Sequence, residues 1–262
     1  MSKKIVILTI PGIGTKEVGY STDFEKDIRR FANNKVKANL RILETRPFGV
    51  TDVDKNQNNL FRRLDAVNKL GGVLSLRKFV LEAFGDGVTF ERDSSNPEST
   101  YHRIHTYLKK EIEEANALLN EGDVLVILAA SMGVHVLSTY IWDADNKKGI
   151  FKDNPAQPNQ NLKNLDYLAT IGCNIPLFVS GLRETEIIAF ERRNNHFIWD
   201  NYYDRDDVLG WPLQQMSSSY NELVNDYEIN TGLYVGSHTK YWDDNDFTKP
   251  FSEKLNELYT EL

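Results

Sequence analysis

Apolar residues recur along this chain in two rhythms. Short strand-like runs rich in apolar residues lie at residues 5–10, 40–45, 124–129, 165–171 and 197–203, and they read as five buried strands. Between them the apolar positions fall three and four apart. Phe24, Ile28 and Phe31 follow Thr22 and Glu25, a capping-box pair, and predict a helix after the first strand. Tyr101, Ile104, Leu108, Ile112, Ala115 and Leu119 mark the clearest helix, opened by Asn96-Pro97 and closed at Gly122. Phe247, Phe251, Leu255 and Leu258 give a last helix an apolar stripe with which to dock on the sheet. Strands alternating with helices predict an α/β fold, a mainly parallel sheet with helices on both faces.

Residues 152–164 hold eight Asn, Gln or Pro in thirteen and read as a surface loop rather than a linker. Segments 174–195 and 213–234 follow the fourth and fifth strands, on the side where such sheets bind ligands, and are candidate cap elements. No internal repeat is visible. Length adds little to this: 262 residues accommodate one α/β domain, and 1–262 is read as a single unit.

Charge narrows the partners. The net charge is −7, and the basic pairs at 29–30, 62–63, 109–110 and 192–193 are scattered, which disfavours nucleic acid. Lys3-Lys4 precede only six apolar residues before Pro11-Gly12, too few for a signal peptide, and no apolar stretch reaches the roughly 18–20 residues of a membrane span. The lone Cys173 cannot form an internal disulfide, in keeping with a reducing, cytoplasmic location.

The third apolar run ends in Ala129-Ala130-Ser131-Met132-Gly133. A serine flanked by small residues two positions either side, after a strand and before a helix, has the layout of a strained nucleophile turn. Ser131 then needs a base and an acid from later strands, in the order serine, acid, histidine. Of the five histidines only His238 lies downstream of an acidic loop, the segment 201–213 with Asp204, Asp206 and Asp207. Asp207 is the preferred acid because Val208-Leu209 place an aliphatic pair behind it; Asp206 stays open as the other choice. An oxyanion would take the N–H of Met132 and one from the first loop, where Pro11-Gly12-Ile13-Gly14 puts Ile13 forward.

On these stretches the chain resembles the α/β-hydrolase superfamily, in particular its serine esterase and lipase-like members. The matching segments are Ile-Pro-Gly-Ile-Gly at 10–14, Ala-Ala-Ser-Met-Gly at 129–133, the Asp206-Asp207 turn and Gly-Ser-His-Thr-Lys-Tyr-Trp at 236–242. The resemblance implies the α/β-hydrolase fold with cap-like insertions, and a nucleophile at Ser131, a base at His238, an acid at Asp207 and oxyanion donors at Ile13 and Met132. It implies an ester or thioester substrate, small or lipid-like, and no cofactor or metal. Three departures stand out: family members usually carry glycine where Ala129 lies, often histidine where Ala130 lies, and His-Gly where Pro11-Gly12 lies. The first and third motivate an alternative, an inactive fold of this type kept for binding.

Other motifs read as structural. Gly12-x-Gly14-Thr15-Lys16 lacks the third glycine of a dinucleotide loop and the full P-loop spacing, so nucleotide binding is the weaker rival. His102 and His105 lack further ligands at a telling spacing, and Asp243, Asp244 and Asp246 lack the glycine and glutamate of a calcium loop; the aspartates read as a helix start. Cys173 reads as a small buried residue. Trp199, Trp211 and Trp242 line an acyl pocket or fill core, two readings that sequence does not separate.

Overall fold

Successive side chains of a strand point to opposite faces, so continuous apolar runs build a sheet with two dry faces. In the computed structural model, which describes residues 3–13, 16–68, 81, 85–91, 96–232 and 238–261, six parallel strands run in the order β2-β1-β3-β4-β5-β6. They are β1 (Ile5–Ile10), β2 (Leu40–Glu44), β3 (Val124–Ala130), β4 (Tyr167–Ile171), β5 (Ile198–Asp204) and β6 (Val224–Ile229). The parallel α/β architecture expected from the sequence is the observed one.

Ile5 and Ile7 of β1 join Val124, Val126 and Leu128 of β3 in one core layer, while Val6, Leu8 and Ile10 join Leu125, Ile127 and Ala129 in the other. The first layer is covered by α1 (Thr22–Phe31), α2 (Asn34–Asn39) and the last helix, here α8 (Asn245–Glu261), through Phe24, Ile28, Val36, Phe247, Phe251, Leu255 and Leu258. The second is covered by α4 (Thr100–Ala117) and α5 (Met132–Asn146), with α3 (Val53–Asn68) preceding them in the chain. Burying both faces is why the central strands are apolar throughout.

Several boundaries differ from expectation. Thr22 does not cap α1: its hydroxyl donates to the Gly19 carbonyl at 2.7 Å, and Glu25 pairs with Arg29 at 2.7 Å. The long helix α4 is capped by Ser99, whose side chain accepts the His102 N–H, whereas Asn96 shapes the turn before it.

The larger correction concerns the segment 213–234. It does not lie wholly over the sheet: after the short α7 (Ser218–Asn221), β6 pairs in parallel with β5 as an edge strand. Asn225, Asp226 and Glu228 hide that strand from an apolar-pattern reading, because an edge position leaves polar side chains in water. Segment 174–195 contains α6 (Ile175–Val179) and then returns to the core at Phe190, which stacks on Trp199 at 4.9 Å.

The chain leaves β1 for β2 on one side and resumes at β3 on the other, so the carboxyl ends of β1 and β3 flank a topological switch point. Ile10 is in register with Ala129, which sets Pro11 to Ile13 beside Ser131. Among the described residues no helix is long and apolar enough to cross a membrane.

Candidate active site at the carboxyl edge of the sheet

Ser131 sits between β3 and α5 with φ 50° and ψ −124°, a left-side conformation that costs of order 1–3 kcal/mol for a residue with a side chain. Two features hold it there. Its N–H donates to the Ile171 carbonyl of β4 at 2.9 Å, and its carbonyl accepts the Val134 N–H at 3.0 Å. The small neighbours are required by close approach: a Cβ on Gly133 would lie 2.4 Å from the Pro11 carbonyl oxygen, and one on Gly12 would lie 2.8 Å from Ser131 Cβ. Ala129 fits because it faces into the core, fully buried.

The structure brings three of the singled-out side chains together. His238 Nε2 lies 2.8 Å from Ser131 Oγ, and His238 Nδ1 lies 2.8 Å from Asp207 Oδ2. A carboxylate at Nδ1 places the neutral ring's proton there and leaves Nε2 as acceptor for the serine hydroxyl. Asp206 lies elsewhere: it is half-buried, and its N–H donates to Asp204 Oδ1 at 2.8 Å. Asp204 in turn accepts the N–H and hydroxyl of Thr231, which ties the turn to the chain beyond β6.

Asp207 is buried and fully engaged. Oδ1 accepts the Leu209 N–H at 2.9 Å, and Oδ2 accepts from His238 and from the Tyr241 hydroxyl at 2.9 Å. Burial pushes its carboxyl up, but the hydrogen bonds and charge of His238, with those from Leu209 and Tyr241, outweigh that and hold it below the ordinary carboxylate value. Two glycines make the room. A Cβ on Gly210 would lie 2.3 Å from Asp207 Oδ2, and one on Gly172, at φ +55°, would lie 3.3 Å from both Asp207 Oδ2 and His238 Cε1.

Sequence reasoning passed over the residues that brace this loop. Tyr241 Oη accepts the Asp204 N–H at 2.9 Å while donating to Asp207. Asn201, inside β5, donates to the Trp211 carbonyl and to Asp226 Oδ1, and Asp226 caps the N–H groups of Leu213 and Gln214. Polar residues inside a buried strand were the available signal, since they persist only when hydrogen-bonded.

Two cavities meet at Ser131. The larger, about 190 Å³, has apolar walls of Ile13, Val88, Leu177, Phe178 and Leu209, with Asn174 as a polar group. Leu177 and Phe178 come from α6, so part of segment 174–195 does wall the site. The smaller, about 100 Å³, is lined by Gly12, Lys16, His238, Thr239 and Trp242. Ile13 borders both, and Met132 is the first residue of α5, where a helix N-terminus leaves N–H groups without intrahelical partners. Gly14, Thr15 and residues 233–237 lie outside the described residues.

The remaining candidates sit apart. Cys173 is fully buried, and burial pushes its thiol up, away from the reactive thiolate. His105 is inside the core, with Nε2 on the Val136 carbonyl at 3.2 Å. Trp199 is core, Trp211 is exposed, and Trp242 borders the smaller cavity while packing edge-on against Tyr20 and Phe24. Asp244 Oδ1 accepts the Asp246 N–H at the start of α8, the helix-start role expected of these aspartates.

A scan against protein-family models and a search of curated proteins find no match. Among solved structures, a protein of Xanthomonas campestris pv. campestris described as a "putative hydrolase of the alpha/beta superfamily" aligns over 99% of this chain and 100% of its own, at 11% identity and a TM-score of 0.44.

Proposed function

We propose that the protein is a serine hydrolase of the α/β-hydrolase type, cleaving a carboxylic ester or thioester through an acyl-enzyme. One observation carries the reading: His238 bridges Ser131 Oγ and Asp207 Oδ2 with 2.8 Å contacts on both sides, at a backbone turn held in a strained conformation.

In the first half-reaction Ser131 Oγ attacks the carbonyl carbon and its proton passes to His238 Nε2. Asp207 stabilises the imidazolium and keeps the ring oriented. The N–H groups of Met132 and Ile13 hold the oxyanion, and removing one such donor costs about 100- to 1,000-fold in rate. As the tetrahedral intermediate collapses, the carbon–oxygen or carbon–sulfur bond breaks and His238 returns the proton to the leaving atom. Water, deprotonated by His238, then releases the acid and restores Ser131. No metal or cofactor enters any step.

The leaving atom must lie within reach of His238, so the leaving group belongs in the smaller cavity that His238 lines. The acyl chain then occupies the larger one. That cavity is somewhat bigger than the ~150 Å³ apolar cavity known to hold benzene, which favours short or medium acyl groups.

Labelling with a fluorophosphonate tests the reading. The wild type should be labelled at Ser131 and turn over p-nitrophenyl esters. Absence of labelling together with absence of ester turnover would overturn it in favour of the binding-protein alternative, and a Ser131→Ala variant as active as wild type would overturn Ser131 as the nucleophile.

A further inference from the structure

Asn174 is the one described polar side chain, besides Ser131, on the wall of the larger cavity. It follows β4 and precedes the first residue of α6, an N-cap position where asparagine ordinarily spends its side-chain oxygen on a helix N–H. Here it makes no capping hydrogen bond. The side chain is nonetheless buried, at 6% exposure. Its Oδ1 has no hydrogen-bond partner among the described residues, and its Nδ2 meets only the soft sulfur of Met132, at 3.9 Å.

An under-satisfied buried amide is costly, and native proteins carry few of them. The neighbours do not relieve it: Ile13, Leu177, Phe178 and Leu209 are apolar. A buried polar group that the protein leaves unpaired on the wall of a binding cavity is matched by a group that the ligand brings. We infer that Asn174 selects acyl groups bearing a hydroxyl, placed on the acyl chain near the scissile carbonyl. A hydroxyl both donates and accepts, and the terminal torsion of asparagine is broad, so either end of the amide can engage it. The inference rests on Ser131 being the nucleophile and on the acyl chain occupying this cavity.

The preference should be large in the direction of acceptance. A site with a polar group in an apolar wall penalises the plain alkyl chain, because binding it leaves the amide sealed and unpaired. About tenfold corresponds to a single neutral hydrogen bond of roughly 1.4 kcal/mol.

The test compares p-nitrophenyl hexanoate with its 2-hydroxy and 3-hydroxy derivatives on the full-length protein, each kcat/KM divided by the ester's own rate in hydroxide. The wild type should favour at least one hydroxy ester by about tenfold or more. Asn174→Leu, of similar volume but apolar, should lose that preference by the same factor. Equal normalised rates in the wild type overturn the inference, and so does a preference that survives in Asn174→Leu. The wild-type comparison stands alone should the leucine variant not fold, and Asn174→Thr, which keeps a hydroxyl, should then retain part of the preference. Fluorophosphonate labelling separates the two levels. A labelled, active enzyme without hydroxyl preference refutes the role of Asn174 only, whereas an unlabelled, inactive one refutes the hydrolase reading together with it.

Discussion

Tyr241 donates its phenol hydrogen to Asp207 Oδ2 at 2.9 Å, onto the same oxygen that faces His238 Nδ1. Burial and the neighbouring Asp207 charge push the phenol well above its ordinary value, so it stays a donor across the working pH range. The same hydroxyl accepts the Asp204 N–H, which locks the strand end to the acid. Tyr241→Phe should therefore lower kcat by about 10-fold, the worth of one hydrogen bond to a charged group, with KM little changed. A parallel slowing of fluorophosphonate labelling would place the effect on the nucleophile's activation; unchanged labelling and kcat would contradict it.

The two adjacent aspartates make a sharper contrast. Asp207→Asn keeps the shape but reverses the tautomer preference of His238, and kcat should fall by about 10⁴-fold. Asp206→Asn changes a half-buried group whose carboxylate makes no hydrogen bond among the described residues, and activity should stay within about twofold of wild type. Steady-state kinetics of the pair decides between them, and equal losses would count against the assignment of the acid.

Gly133 is held by backbone oxygens rather than by movable side chains. Because an added Cβ would lie 2.4 Å from the Pro11 carbonyl oxygen and 2.6 Å from that of Ile10, Gly133→Ala must push the first loop away from the nucleophile turn. The expected cost is about 1–3 kcal/mol in urea unfolding, typical of overpacking, together with loss of activity through displacement of Ile13, the proposed oxyanion donor. A variant of wild-type stability and rate would show that the two loops are not in contact in solution.

A fourth expectation concerns the tie between α5 and the chain entering β5. The Arg193 guanidinium, with no exposed side-chain surface, makes paired hydrogen bonds to Asp145 at 2.5 and 2.9 Å, with Lys163 at 3.1 Å. Burial pushes the Asp145 carboxyl up, but Arg193 and Lys163 outweigh it and hold it below its ordinary value of 3.8. A depressed folded value means the unfolded chain takes up this proton first. The stabilisation is complete above about pH 5 and drains as pH falls below the ordinary value through the folded one. Asp145→Asn should cost about 1.5–3 kcal/mol at pH 7 and flatten the fall of the urea midpoint between pH 5 and 3. A variant whose midpoint falls with acid as steeply as wild type would remove Asp145 from that account.

The division between what was legible and what was not follows the physics of each level. Strand and helix positions are local, and short continuous apolar runs against a 3.6-residue period mark them in the chain itself, which is why β1, β3, α4 and α8 stand out and why a parallel α/β sheet could be expected. The small-residue turn around Ser131 is local too, since its demand for tiny neighbours is steric. The aliphatic pair Val208-Leu209 favours Asp207 but leaves Asp206 open: neighbouring residues of one turn point in different directions, and only the folded turn, with the Asp207 N–H on the Asp204 carbonyl at 3.0 Å, decides which carboxylate faces the histidine. The edge strand β6, the bracing hydroxyl of Tyr241 and the Asn174 amide oxygen, which has no hydrogen-bond partner among the described residues, were equally invisible. Each depends on which remote segment lies across from it, and a polar side chain carries no mark of its partner until the chain has closed around both. Sequence alone thus determined the layers and the strained turn, because backbone sterics and apolar burial repeat with the chain's own period; the convergence of Ser131, His238 and Asp207 was decided by tertiary structure, because distances between residues 107 and 31 positions apart are set only when the sheet brings its strand ends to one edge.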